Sequence, residues 1–145
     1  MMDAAPEICS CSAVRQAARH LTRLYDDALA PLDLSVNQYS IMSKLSRFGP
    51  QTIQDLADLL VMDRSTLGHL LRPLERQGLL TIHIAETDKR ERVVALTTAG
   101  KAHVKKAKRL WAQAERAFQR AFGADRADSL RTVLKQVTAV EFGSN

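Results

Sequence analysis

The sequence predicts a mainly α fold carrying one small β-hairpin (α+β). Apolar residues recur at helical spacing in six stretches bounded by capping residues, glycine or proline. Between the fourth and fifth stretches, residues 79–97 switch to strand-like alternation around a polar loop. At 145 residues, 46% apolar and 26% charged, the chain has the size and composition of a single soluble unit over 1–145 with a real core.

The first helix is expected from Ser12 to about Leu29. Val14, Ala17, Ala18, Leu21, Leu24, Tyr25 and Ala28 give it a heptad-like apolar stripe, and Pro31 ends it. Ser35 and Gln38 form a capping box for the second helix, whose Ile41, Met42, Leu45 and Phe48 turn inward until Gly49 and Pro50 stop it. Thr52 caps a third helix reaching Leu60, with Asp55 in the capping-box position. Its Ile53, Leu56, Ala57 and Leu60 share one face. After a turn through Val61 and Met62, Asp63 caps a fourth helix, Arg64 to Gln77, which Gly78 closes. Leu67, Leu70, Leu71 and Leu74 face the core. Pro73 removes the hydrogen bond to the His69 carbonyl and is expected to bend the last turn.

Leu79 to Ala85 and Arg92 to Thr97 read as paired strands, joined by the polar loop Glu86 to Glu91. Thr97 then caps a long helix to about Phe122, with Val104, Ala107, Trp111, Ala114, Phe118 and Ala121 as its stripe. Gly123 breaks it. Asp125 starts a last helix, striped by Leu130, Val133, Leu134, Val137 and Val140. These terminal stripes protrude from a small centre and need apolar cover. A second copy packed along the first, fifth and sixth helices supplies it. An intramolecular helix bundle is the alternative.

The third and fourth helices with the hairpin have the order by which small proteins enter a DNA groove. On the fourth helix Ser65, Thr66, His69 and Arg72 share the side opposite the leucines. Short hydroxyls near a helix start, followed by donors one and two turns on, suit phosphates and base edges. The same pattern is found on ordinary solvated helix faces. The hairpin, tipped by Lys89, Arg90 and Arg92, is long enough to reach a neighbouring minor groove, whose negative potential attracts arginine. Asp88 and Glu91 make sense there as partners that orient the arginines.

The stretches Asp63 to Leu67 (DRSTL), Leu74 to Leu79 (LERQGL), Asp88 to Arg90 (DKR) and Leu96 to Gly100 (LTTAG) resemble the MarR family of winged-helix transcriptional regulators. The resemblance extends over nearly the whole chain. It implies a winged helix-turn-helix DNA-binding core over 33–97, with N- and C-terminal dimerisation helices over 12–30 and 98–142. It further implies a homodimer on double-stranded DNA at a pseudo-palindromic operator, usually repressing and released by a small molecule or an oxidant. By that resemblance Arg90 enters the minor groove with Asp88 nearby, and Arg64, Ser65, Thr66, His69 and Arg72 lie on the recognition helix beside Lys89 and Arg92 of the wing. Gly68 departs from the family pattern, which often carries a polar side chain there. One base contact is then either missing or replaced by close backbone approach.

The net charge is +5, which suits nucleic acid without demanding it. Between Val61 and Arg92, six basic residues (Arg64, Arg72, Arg76, Lys89, Arg90, Arg92) face five acidic ones (Asp63, Glu75, Glu86, Asp88, Glu91). DNA affinity is therefore expected from placed contacts rather than a blanket of charge. The densest basic run is Lys101, Lys105, Lys106, Lys108 and Arg109, suited either to flanking phosphates or to a solvated face.

Two sensing schemes are open. A small effector, such as an aromatic acid, would sit in a crevice between the dimerisation helices and the winged core, with Arg15, Arg19 and His20 as candidate groups. Alternatively Cys9 and Cys11, placed just before the first helix, form a redox switch through an intersubunit bridge or a sulfenic acid. No metal site and no cofactor is expected: Cys9, Cys11 and His20 lack a second ligand cluster, and His69, His83 and His103 are scattered. The N-terminus, with Asp3 and Glu7 and no apolar core segment, reads as no secretory signal, and no stretch is long enough to span a membrane. A cytoplasmic setting follows. With no phosphate loop, metalloprotease motif or nucleophile elbow, an enzyme is not expected. The remaining rival is a winged-helix protein-interaction module that does not touch DNA.

Overall fold

The computed structural model describes residues 9–143. The Asp3 and Glu7 reading, and both extremes of the 1–145 span, lie outside these residues. The elements run α1 (Ser10–Leu29), a 3-10 turn (Ala30–Leu32), α2 (Val36–Phe48), β1 (Gln51–Thr52), α3 (Ile53–Leu60), α4 (Arg64–Arg76), β2 (Leu80–Ile84), β3 (Arg92–Leu96), α5 (Thr98–Phe122) and α6 (Ala124–Ala139). The mainly α fold with a hairpin wing is as the sequence predicts.

Local chemistry sets each helix start. Ser35 accepts from the Gln38 N–H while the Gln38 side chain accepts from Ser35, which is the full capping box. Thr52, Asp63 and Thr97 each accept from the amide three residues on. The start of α1 corrects the sequence reading. The helix begins at Ser10, because Cys9 takes the cap and its Sγ accepts from the Ser12 N–H at 3.3 Å. Cys11 is therefore inside the first turn rather than ahead of the helix.

The turn between α3 and α4 places Val61 in the left-handed region, φ 51° and ψ 50°, where its N–H closes α3 on the Ala57 and Asp58 carbonyls. α4 ends at Arg76, one residue before the expected end, with Gln77 as its cap and Gly78 at φ 74°. The strands are likewise shorter than expected, and the hairpin gains a third member. Residues Gln51 and Thr52 pair antiparallel with Val94 and Val93, giving the order β1-β3-β2. Two residues of extended chain ahead of a helix carry no period of their own, so no sequence pattern marks them.

One buried cluster joins the helices to the wing. Leu29, Ile41, Met42, Leu56, Leu67, Leu71, Leu74, Leu80 and Val94 are sealed from solvent, and Val104 and Ala107 of α5 belong to the same cluster. Leu70 is only half-buried, and Phe48, read as inward, is 49% exposed. At the last residue of α2 it has left the core stripe and lies under the Arg47 guanidinium, 5.2 Å from its ring centre.

The base of the wing is tied tightly. The Thr97 N–H donates to the Leu79 carbonyl at 3.1 Å, and its hydroxyl donates to the Gly78 carbonyl at 2.6 Å while accepting from the Gly100 N–H. A Cβ at Gly100 would lie 1.9 Å from the Leu79 carbonyl oxygen, so this crossing of α5 over the end of α4 admits only glycine.

Candidate nucleic-acid interface

α4 owes its exposed side to its sequence. The three fully buried positions Leu67, Leu71 and Leu74 anchor one face, leaving Arg64, Ser65, Thr66, His69 and Arg72 exposed together on the other. Asp63 organises their start. Its carboxylate accepts from the Thr66 N–H at 2.7 Å and from the Thr66 hydroxyl at 2.8 Å. These bonds hold its pKa below the ordinary carboxylate value, the backbone bond most strongly. The Thr66 hydroxyl proton is thereby spent. Toward an outside partner the Thr66 hydroxyl offers lone pairs only. Ser65, His69, Arg64 and Arg72 supply the donors.

The wing follows α4 directly through the buried pair Leu79 and Leu80. Its loop is closed by the Ala85 N–H on the Glu91 carbonyl and the Glu91 N–H on the Asp88 carbonyl, both at 3.0 Å. Asp88 then accepts from the Arg90 N–H at 2.9 Å and faces the Arg90 Nε at 3.5 Å. With the Arg90 side chain 93% exposed, this ion pair adds little stability. It sets Asp88 beside the Arg90 guanidinium at the wing tip. Arg92 stands opposite Ile84 at the outer end of the ladder, and Lys89 is exposed in the loop.

The proposed sensor groups fare differently. Arg15 and Arg19 are exposed on α1, whereas His20 borders a groove of about 660 Å³ with Leu21, Leu24, Phe118 and Phe122. The three are not gathered into one site. Cys9 and Cys11 are exposed free thiols, and among the described residues no group of three or more His, Cys, Asp or Glu side chains could hold a metal ion.

A cleft of about 550 Å³ between α2 and α5 went unnoticed in the sequence. Tyr39 and Trp111 stack there at 5.9 Å, beside Ser43, Lys44, Arg47 and Lys108. The signal was present as Ser40, Ser43, Lys44 and Arg47 at helical spacing, but such a face is indistinguishable from a solvated one until α5 is placed across it. Also missed was Glu115 of α5, which accepts from the Tyr25 hydroxyl of α1, from Arg131 of α6 at 2.8 Å and from Gln119 at 3.1 Å.

A sequence model of the MarR family matches residues 34–91, the segment that holds α2, α3, α4 and the wing loop. Over that segment, 58 of its 145 residues, the chain matches the MarR family. It is 29% identical over 90 residues to the organic hydroperoxide resistance transcriptional regulator of Bacillus subtilis (strain 168), covering 62% of this chain and 61% of that protein. It is 38% identical over 72 residues to the regulator Hpr of Exiguobacterium sibiricum, covering 50% of this chain and 38% of that one. The matches thus span less than two thirds of these relatives' lengths.

Among solved structures, the M. tuberculosis transcriptional regulator MOSR in complex with DNA superposes with a TM-score of 0.78 at 28% identity, covering 92% of this chain and 99% of that one. E. coli MarR with operator DNA gives 0.77 at 25% identity, over 86% and 90% of the two chains. The MarR fold therefore extends well beyond the matched segment. No helix among the described residues is long and apolar enough to cross a membrane.

Proposed function

We propose that this chain is a cytoplasmic DNA-binding repressor of the MarR family. It acts as a homodimer on a pseudo-palindromic operator and is released by a small aromatic acid or a derivative of one. The observation that carries the reading is the pairing of an exposed donor face on α4 with a wing arginine beside Asp88. Two structural relatives held on DNA support it. In this reading residues 33–97 read DNA, while 12–30 and 98–142 dimerise. Support for the dimer comes from Val14 of α1, Val133 and Val137 of α6 and Val140 just after it, which are 43%, 53%, 49% and 54% exposed in the single chain.

The α2–α5 cleft favours a ligand as the signal. Lys44, Arg47 and Lys108 would hold a carboxylate beside the Tyr39–Trp111 stack. Cys9 and Cys11 offer only an exposed pair at a helix start, so thiol sensing is the weaker reading. Catalysis has no support in the site, and the curated relatives are named as regulators.

The test is binding to DNA from upstream of the chain's own gene across a salt series. Affinity is expected to fall steeply as salt rises, because bound lysines and arginines displace condensed counterions. Arg90→Ala is expected to weaken binding tenfold or more, about 1.4 kcal/mol, with fold and dimer unchanged. Equal affinity in that variant would remove the wing assignment, and no binding by the wild type to any duplex would favour the protein-interaction alternative.

A further inference from the structure

Glycines in this fold mostly have a structural reason. Gly100 is required by the Leu79 carbonyl, and Gly49, Gly78 and Gly123 hold positive φ at helix ends. Gly68 has neither reason. It sits inside α4 in ordinary helical backbone, and a Cβ built on it meets nothing within 4 Å. Glycine in a helix interior is a destabilising choice relative to alanine. Pro73, five residues on, removes a further helical hydrogen bond from the same helix, so α4 does not offset the cost locally.

The position gives the glycine a use outside the protein. Gly68 is half-buried, one helical turn from exposed Arg64, Ser65 and Arg72 and from buried Leu71, so it lies at the border of the donor face. A side chain here would enter open space beside Arg64, Ser65 and Arg72, at the edge of whatever the face meets. The B-DNA major groove is about 12 Å wide and a helix with side chains measures about 10–12 Å across, so the fit leaves little spare room.

We propose that Gly68 is a specificity-determining position at which the bare backbone of α4 sits against base edges. Its missing side chain lets Ser65, His69 and Arg72 reach bases from a helix seated deeper in the groove. This rests on the DNA-binding reading above and adds a depth requirement to it. A methyl group at Gly68 adds about 1.5 Å of reach to the contacting surface and holds the helix off the bases. Phosphate contacts tolerate that displacement better than base contacts, which depend on short, directed hydrogen bonds.

The experiment compares wild type, Gly68→Ala and Gly68→Leu for thermal stability and for binding to two duplexes. One is selected by the wild-type protein from a randomised library, and the other is an unselected duplex of equal length. Gly68→Ala is expected to melt about 2–4 °C higher than wild type. It should bind the selected duplex at least tenfold more weakly, Gly68→Leu weaker still, and the unselected duplex nearly as before. The ratio of the two affinities is the readout. Undiminished discrimination in Gly68→Ala overturns the proposal while leaving DNA binding intact. Equal losses on both duplexes overturn it too, since that pattern marks a general loss of contact rather than lost readout. Wild type that enriches no sequence from the library removes the DNA-binding reading together with this one.

Discussion

Replacing Glu115 by alanine should cost about 2–3 kcal/mol of stability. Its carboxylate is the shared acceptor for three helices: the Tyr25 hydroxyl from α1, Arg131 from α6, and Gln119 within α5. The Glu115 side chain is only 19% exposed and that of Arg131 49%, so the arginine's share is screened to below about 1 kcal/mol. The larger part comes from the half-buried Tyr25 hydroxyl, which would lose its acceptor at a cost of about 1–2 kcal/mol. Glu115→Gln keeps an acceptor and should cost only about 1 kcal/mol. The measurement is urea unfolding at fixed protomer concentration, because a dimer's midpoint moves with concentration.

Alkaline titration supplies an independent arm. Burial raises the Tyr25 pKa most, followed by the hydrogen bond to Glu115 and then its charge, with Arg131 opposing. An unfolded tyrosine ionises near about 10. The Tyr25 contribution is thus complete below that pH and declines as pH climbs from there through the higher folded value. Tyr25→Phe should flatten this decline. Glu115→Ala within about 0.5 kcal/mol of wild type, or a Tyr25→Phe and Glu115→Ala cycle that is strictly additive, would refute the reasoning.

Three further outcomes are expected. Gly100→Ala forces a methyl onto the Leu79 carbonyl, 1.9 Å away, and should destabilise by about 3 kcal/mol in the same urea assay. Val61→Asn should stabilise by about 1 kcal/mol, since a β-branched residue is strained in the left-handed region and this one, 74% exposed, packs little; a lower unfolding midpoint would show that Val61 is held by something else. Val137→Asp, placed within the uncovered stripe of α6, should shift sedimentation toward the single chain, and an unchanged sedimentation coefficient would move the dimer contact elsewhere.

The sequence exposed most of the helical skeleton because each start is written in a capping residue and each buried face in a leucine repeat. Asp63 with Leu67, Leu71 and Leu74 is the clearest case: cap, period and exposed face are all legible within a dozen positions. Asp88 and Arg90 were also readable, since a carboxylate two residues from an arginine in a short loop has few other geometries. Features made by juxtaposition were not. Tyr39 and Trp111 are far apart in the chain and meet only when α5 crosses α2. Glu115 looked like one more charge on a long helix until α1 and α6 closed on it. At Thr66 the sequence places the side chain on the exposed face but does not show that its hydroxyl proton goes to Asp63.

The knot at the wing base gives α5 the geometry of a lever. One end is fixed by Thr97 and Gly100 to the close of α4, and the other carries Phe118 and Phe122 into the groove against α1. Over the 25 residues of α5, at 1.5 Å each, a tilt of about 5° at one end sweeps the other through roughly 3 Å. On the proposed function, a wedge driven between α2 and α5 would need to pivot this beam only slightly to pull the two reading heads of a homodimer out of step with the pitch of a duplex.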